Sequence, residues 1–300
     1  MIYALGFAVL SLVLFGPAGP LLARARWTHR APRAAVALWQ AIGISGAVAT
    51  IGFGLAVTVL PDRGGLRVGL ARLGHQVMTG HPLQGLGISG ALGLTLASDV
   101  CFVVIVGLGI TGARTSIHRA QHRRLLDLVS HRVDEVPDVQ ILDDPRATAY
   151  CLPGVRPRIV VSAGALTLLG HQEIGAVVAH ERGHARGRHG VVILPFASVD
   201  SLLRWMPYAR HARSEVALLL EMAADDFAVR SNHPRDLARA LLEMSASGGS
   251  PACSFAAHTT AVGPRVQRLI LPGRTSQLVA SATLTAAIAT LCLPICGFLL

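Results

Sequence analysis

The chain has 300 residues, of which 52% are hydrophobic and only 15% charged, a balance too apolar for an ordinary soluble domain. Its formal charge is +10, and all 27 basic residues are arginine, a bias that a GC-rich genome explains without a phosphate ligand. No basic module interleaved with aromatics accompanies it, which argues against direct nucleic-acid binding, and five scattered cysteines without CxxC spacing argue against a disulfide framework or a thiolate zinc site.

In chain order, four segments are long enough to cross a bilayer, which takes roughly 20 apolar residues. They cover 2–23 (interrupted by Pro17 and Pro20), 35–60, 85–113 and 276–300. The first lacks a basic leader region and is followed by more spans, so it reads as an anchor rather than a signal peptide. Arginine placement sets the orientation. The loop 24–33 carries four arginines in ten residues and 114–132 carries five, while 61–84 carries three in more than twice the length of the first loop. The first loop and the region after 113 are therefore expected in the cytoplasm, with the N-terminus, the 61–84 loop and the C-terminus outside. Asp99 lies inside the third span, where a carboxylate is costly in lipid and points to a polar interior or partner.

Between the third and fourth spans lies a domain's worth of chain. Residues 115–133 are expected as an amphipathic helix with Leu125, Leu126, Leu128 and Val129 on one side and arginines on the other. Residues 137–142 and 158–163 read as short strands of a hairpin, separated by the breaker-rich CLPGVRP at 151–157. Helices follow over 165–187, 212–230 and 235–245. The apolar stretch 190–206, broken by Pro195, Asp200 and Arg204, is expected as a helix lying against the membrane or the domain.

The chemistry is concentrated in 180-HERGHARGRHG-190. In a helix, residues i and i+4 project from one face, so His180 and His184 converge on one metal ion. Glu181 lies one position round, where a base must sit to take a proton from the attacking water. A third ligand is still required. His189 follows Gly187 but stands one residue early for an HExxHxxGxxH pattern. The segment 219-LLEMAADDFAVR-230 offers the alternative: Glu221 and Asp225 share a helical face, Glu221 as ligand and Asp225 as hydrogen-bond acceptor for the spare nitrogen of a ligand histidine. The leucines before Glu221 make an unpartnered carboxylate there costly, which favours Glu221 over His189. His118, His122, His131, His211 and His233 read as surface histidines.

ILDDPRATAYCLPGVRPRIVVSAGALTLL, EIGAVVAHERGH and EMAADDFAV together resemble the integral-membrane glutamate-zincins, over roughly 114–270. The nearest likeness is to the BlaR/MecR-type antibiotic-sensor peptidases, with HtpX and the CAAX prenyl-protein endopeptidases more distant. The resemblance implies one Zn²⁺ held by His180, His184 and Glu221, Glu181 as general base and Asp225 as its support. Arg265, in 264-PRVQRL-269, is similar to a late arginine of these families. The sensor proteins carry a penicillin-binding domain after their last span, and this sequence ends at Leu300 within or just past its own, so antibiotic sensing does not carry across.

The expected protein is thus an α+β, multi-pass membrane protein. It has three transmembrane helices in 1–113, a mainly helical zincin domain with a small sheet in 114–275, and a C-terminal transmembrane helix in 276–300. The expected activity is zinc-dependent hydrolysis of peptide bonds in a protein substrate, such as a transcriptional repressor or a membrane protein. The competing expectation is a membrane signal transducer or scaffold whose zinc domain is structural or cleaves only itself.

Overall fold

The structure is a computed structural model that describes residues 1–60, 65–81, 84–132, 138–154, 157–248, 262–271 and 276–299. Four of its helical segments are long and apolar enough to cross a membrane: Ile2–Ala23, Pro32–Thr58, part of Ile88–Val129, and Gln277–Phe298. The first comprises α1 (Ile2–Val13), a π-helical turn at Leu14–Ala18 and α2 (Gly19–Ala23), the widened turn falling where Pro17 removes a backbone donor. The second is α3 (Pro32–Thr58), started by a proline at its first position. These segments turn large apolar side chains outward, as bilayer-facing helices do: Phe102 is 65% exposed, Ile105 70% and Ile288 62%.

The 61–84 loop holds more structure than its composition suggested. Gly65–Met78 forms helix α4, which buries Leu66 and Leu73 and packs Leu70 against the core of α1 and α3. Leu66, Leu70 and Leu73 stand at helical spacing, so the apolar stripe is present in the sequence among the arginines.

Helix α5 (Ile88–Val129) corrects a second expectation. The third span and the amphipathic helix are one uninterrupted 42-residue helix, and the expected domain boundary at 113 falls inside it. No proline interrupts it, and an internal glycine such as Gly112 costs only about 1 kcal/mol. Of the four apolar residues in its distal half, Leu126 is buried. Leu125, Leu128 and Val129 are exposed.

The sheet has four strands: β1 (Ser130–Arg132), β2 (Val139–Leu142), β3 (Ala149–Leu152) and β4 (Arg158–Ser162), in the order β1-β2-β4-β3. The hairpin was expected between 137–142 and 158–163, but β2 and β4 run parallel. The hairpin is β3–β4, and β2 pairs on the far side of β4. That order leaves β3 as an edge and encloses β4. The expected long helix over 165–187 is split into α6 (Ala163–Leu168) and α7 (His171–Arg186), because Glu173 reaches back to accept the Gly170 N–H at 2.8 Å and caps the new start. After α7 come α8 (His189–Val192), α9 (Leu194–Leu202), α10 (Pro207–Ala228), α11 (Pro234–Ala246), α12 (Val262–Ile270) and α13 (Gln277–Leu299).

Two cores flank the site. One unites the sheet with α7 and α11 through Val139, Ile159, Val161, Val177, Val178 and Met244. The other joins α10 to the first spans through Trp39, Val216, Leu219 and Leu220, with the buried Tyr208 hydroxyl donating to the Trp39 carbonyl at 2.8 Å. Helices α7 and α10 meet between these cores.

Candidate metal centre

Helix α7 buries Ala176, Val177, Val178 and Ala179, and the next turn carries His180, Glu181 and His184. Helix α10 brings Glu221 and Asp225 from a stretch buried from Leu219 to Asp225. The two helices approach closely because Gly183 has no side chain. A Cβ there would stand 3.1 Å from the Ala224 backbone and from Phe227 Cβ. The small residue Ala224 meets it from the other side.

His180 Nε2 and His184 Nε2 lie 3.1 Å apart. Glu221 straddles them, Oε2 at 3.4 Å from His180 Nε2 and Oε1 at 3.4 Å from His184 Nε2. One donor atom from each of the three residues falls within 4.8 Å of the others, and among the described residues this is the group of histidine, cysteine and carboxylate side chains that can hold a metal ion. The donor chemistry fits zinc, which takes imidazole nitrogen and carboxylate oxygen in tetrahedral sites. Glu221 Oε2 and His180 Nδ1 are buried without an aligned hydrogen-bond partner in the protein. For Glu221 Oε2, that is the demand a bound cation would meet.

The outer partners differ for the two histidines. His180 Nδ1 lies 2.9 Å from Asp225 Oδ1, at ion-pair distance though off the line of a good hydrogen bond. Arg265, 3% exposed on α12, donates to both Asp225 oxygens at 2.9 and 2.7 Å and lies 2.9 Å from Glu221 Oε2. The neighbouring Arg268 grips both oxygens of Asp226 and donates to the His29 carbonyl, which anchors α12. His184 Nδ1 instead faces His189 Nδ1 at 2.9 Å. His189 stands just past the end of α7 and is buried there against His184 rather than offered to the metal group.

Charge follows from these contacts. Burial opposes the charged form of His180, but Asp225 and Glu221 outweigh it and raise its pKa to about 9. Burial would raise the Glu221 carboxyl, yet His184 and Arg265 hold it well below the usual range. Burial raises Glu181, with the facing histidines partly offsetting it. Burial, reinforced by His184 and His180, lowers His189 to about 3.

A cleft of about 490 Å³ opens beside these residues, lined by Glu181, His184 and Glu221, by Tyr150–Pro153 at the β3 edge, and by α5. His118 and His122, read from sequence as plain surface histidines, line this cleft, and His122 Nε2 is 2.9 Å from the Tyr150 hydroxyl. Arg123 donates to the Leu152 and Pro153 carbonyls at 3.3 and 2.9 Å, and Arg119 to the Gly190 carbonyl at 3.0 Å. The structure brings His180, Glu181, His184, Glu221 and Asp225 together, with Arg265 beside them. His118 and His122 are exposed, as the sequence suggested, and their place along the cleft and the contact made by His189 were not expected. Asp99 lies in the apolar portion of α5 and does not line the cleft.

Residues 115–219 match the profile of Peptidase family M48. The match contains His180, Glu181 and His184 and stops two residues before Glu221, whose place beside them is seen in the geometry alone. The chain is 33% identical over 108 residues to the plastoglobule-localized metallopeptidase 48 of Arabidopsis thaliana, covering 29% of this chain and 31% of that protein. It is 37% identical over 75 residues to the protease HtpX homolog of Thermoplasma acidophilum, covering 24% of each. The chain therefore spans less than a third of the length of either relative. These matches lie with M48 and HtpX, the likeness that the sequence had placed as more distant than BlaR/MecR. No solved structure matches.

Proposed function

We propose that this chain is a membrane-bound zinc metalloendopeptidase that hydrolyses peptide bonds of a protein substrate. The observation that carries this reading is the convergence of His180, His184 and Glu221 within 4.8 Å, with a buried Glu181 beside an open cleft. When bound, zinc supplies a Lewis acid that polarises a carbonyl and lowers the pKa of water towards about 7. Glu181 accepts the proton of the attacking water. Its raised pKa suits it to hold that proton and return it to the departing amine. Glu221 is kept ionised by Arg265 and His184, and Asp225 fixes the ring of His180. We assign residues 114–275 to the catalytic part and place it on the cytoplasmic side, following the arginine asymmetry.

Strand β4 is paired on both sides, whereas β3 has, among the described residues, an edge that no other strand covers. It borders the cleft, and an extended peptide added there would lie along the site. A structural zinc site is closed by four protein ligands, whereas three converge here, among the described residues, at the wall of a cleft. That supports the enzyme over the scaffold. Cleavage of a repressor in the BlaR/MecR manner draws no support from the M48 and HtpX matches.

The test is Glu181→Gln in the purified full chain, with zinc content and cleavage of an unfolded protein such as β-casein measured side by side. Zinc should be retained, and cleavage should fall by about a hundred- to ten-thousand-fold. Undiminished cleavage by this variant would overturn the reading.

A further inference from the structure

We infer that His189 is a positioning residue for the metal centre: its Nδ1 accepts the hydrogen bond that fixes the tautomer and ring orientation of His184. This rests on the zinc reading above and adds a residue to it.

An imidazole that offers Nε2 to a metal carries its proton on Nδ1, and that N–H needs an acceptor. For His180 the facing group is the Asp225 carboxylate. For His184 it is His189, with the two Nδ1 atoms 2.9 Å apart and the rings edge-to-face at 86°. His184 Nε2 points the other way, towards His180 Nε2 and Glu221. His189 can accept at Nδ1 only as the neutral ring protonated at Nε2, so a single proton arrangement satisfies the pair.

The local backbone is shaped to seat this ring. Arg188 has φ 48°, the one left-handed non-glycine residue among those described, and it turns the chain back after α7. Gly187 leaves room for the returning ring, because a Cβ at that position would run into the His189 imidazole. The ring ends 7% exposed against the last turn of α7. A histidine that merely followed the helix end would need none of these features. The arrangement also makes the two ligand histidines unequal. One is backed by a carboxylate held by Arg265, the other by a neutral ring, which leaves His184 the weaker electron donor.

The test is zinc affinity, by competition with a fluorescent chelator, in the full-length protein and in His189→Leu and His189→Asn. Asparagine places an acceptor oxygen at the same distance along the side chain as histidine Nδ1, and leucine fills the space without one. His189→Leu should bind zinc about 10- to 100-fold more weakly, and His189→Asn should recover most of that loss. Unfolding of the zinc-free proteins identifies a variant that has simply lost its fold. Equal affinity in native protein and His189→Leu overturns the proposal, as does an equal loss in both variants. If the native chain and Glu221→Gln both fail to bind zinc, the metal reading itself is wrong and the proposal falls with it. If native protein binds, Glu221→Gln does not, and His189→Leu binds normally, only the role of His189 is lost.

Discussion

Helices α7 and α10 both build the site, yet they are held in opposite ways. Helix α7 is buried on one side by the sheet and α11 and turns its other side to the cleft, where the His184 side chain is 20% exposed. Helix α10 is enclosed between α7 and the first spans, with the Glu221 and Asp225 side chains 8% and 1% exposed. Both helices reach the cleft, α7 with Glu181 and His184 and α10 with Glu221, while Asp225 lies one turn further back. A buried carboxylate is tolerated only when paired, and Arg265 supplies that pairing to two of them at once.

Substitutions on each side should separate these roles. The largest effect is expected at the enclosed helix: Glu221→Gln should lower zinc affinity by more than the roughly 100-fold that loss of an outer partner costs, and abolish cleavage with it. Chelator competition reads this directly, and retained affinity would show that α10 does not ligate. Next is Arg265→Ala, which strands two buried carboxylates and should destabilise the protein by about 3–5 kcal/mol. Denaturant unfolding in detergent measures it, and a loss under 1 kcal/mol would mean the carboxylates find another partner. The smallest is at the seam: Gly183→Val must push α7 off the Ala224 backbone and should cost about 1–3 kcal/mol. Thermal unfolding tests it, with Gly183→Ala as the milder comparison. If Glu181→Gln, at the cleft wall, were to destabilise as much as Arg265→Ala, the division between a reactive and a supporting set of residues would be wrong.

Much of the site was legible because its parts follow helical arithmetic. His180 and His184, and Glu221 and Asp225, are each four residues apart, and the leucines before Glu221 already made an unpartnered carboxylate there implausible. His189 was not legible. Its place depends on a left-handed residue at Arg188 that no residue type announces, and counting from the wrong pattern made it look displaced. Arg265 lies on a short helix 40 residues beyond the aspartate it grips, so only the folded chain brings them together. In the fold, the spans and most helices were readable from apolar runs. The parallel pairing of β2 with β4 was not, because strand order is settled by contacts distant in sequence. The continuity of α5 was masked by its change from apolar to basic character, which marks a change of solvent rather than of structure.

That continuity has a mechanical consequence. At about 1.5 Å per residue, an unbroken 42-residue helix is a rod about 63 Å long. One end belongs to the apolar segment, and the other forms a wall of the cleft, where Arg119 and Arg123 hold the carbonyls of Gly190 and Pro153. Tilting such a rod by about 5° around its middle would displace each end by about 3 Å, and the turns that carry Arg119 and Arg123 by about 1–2 Å. A tilt of the apolar segment would thus be carried along one rigid element to the turns that hold these two carbonyls at the cleft wall.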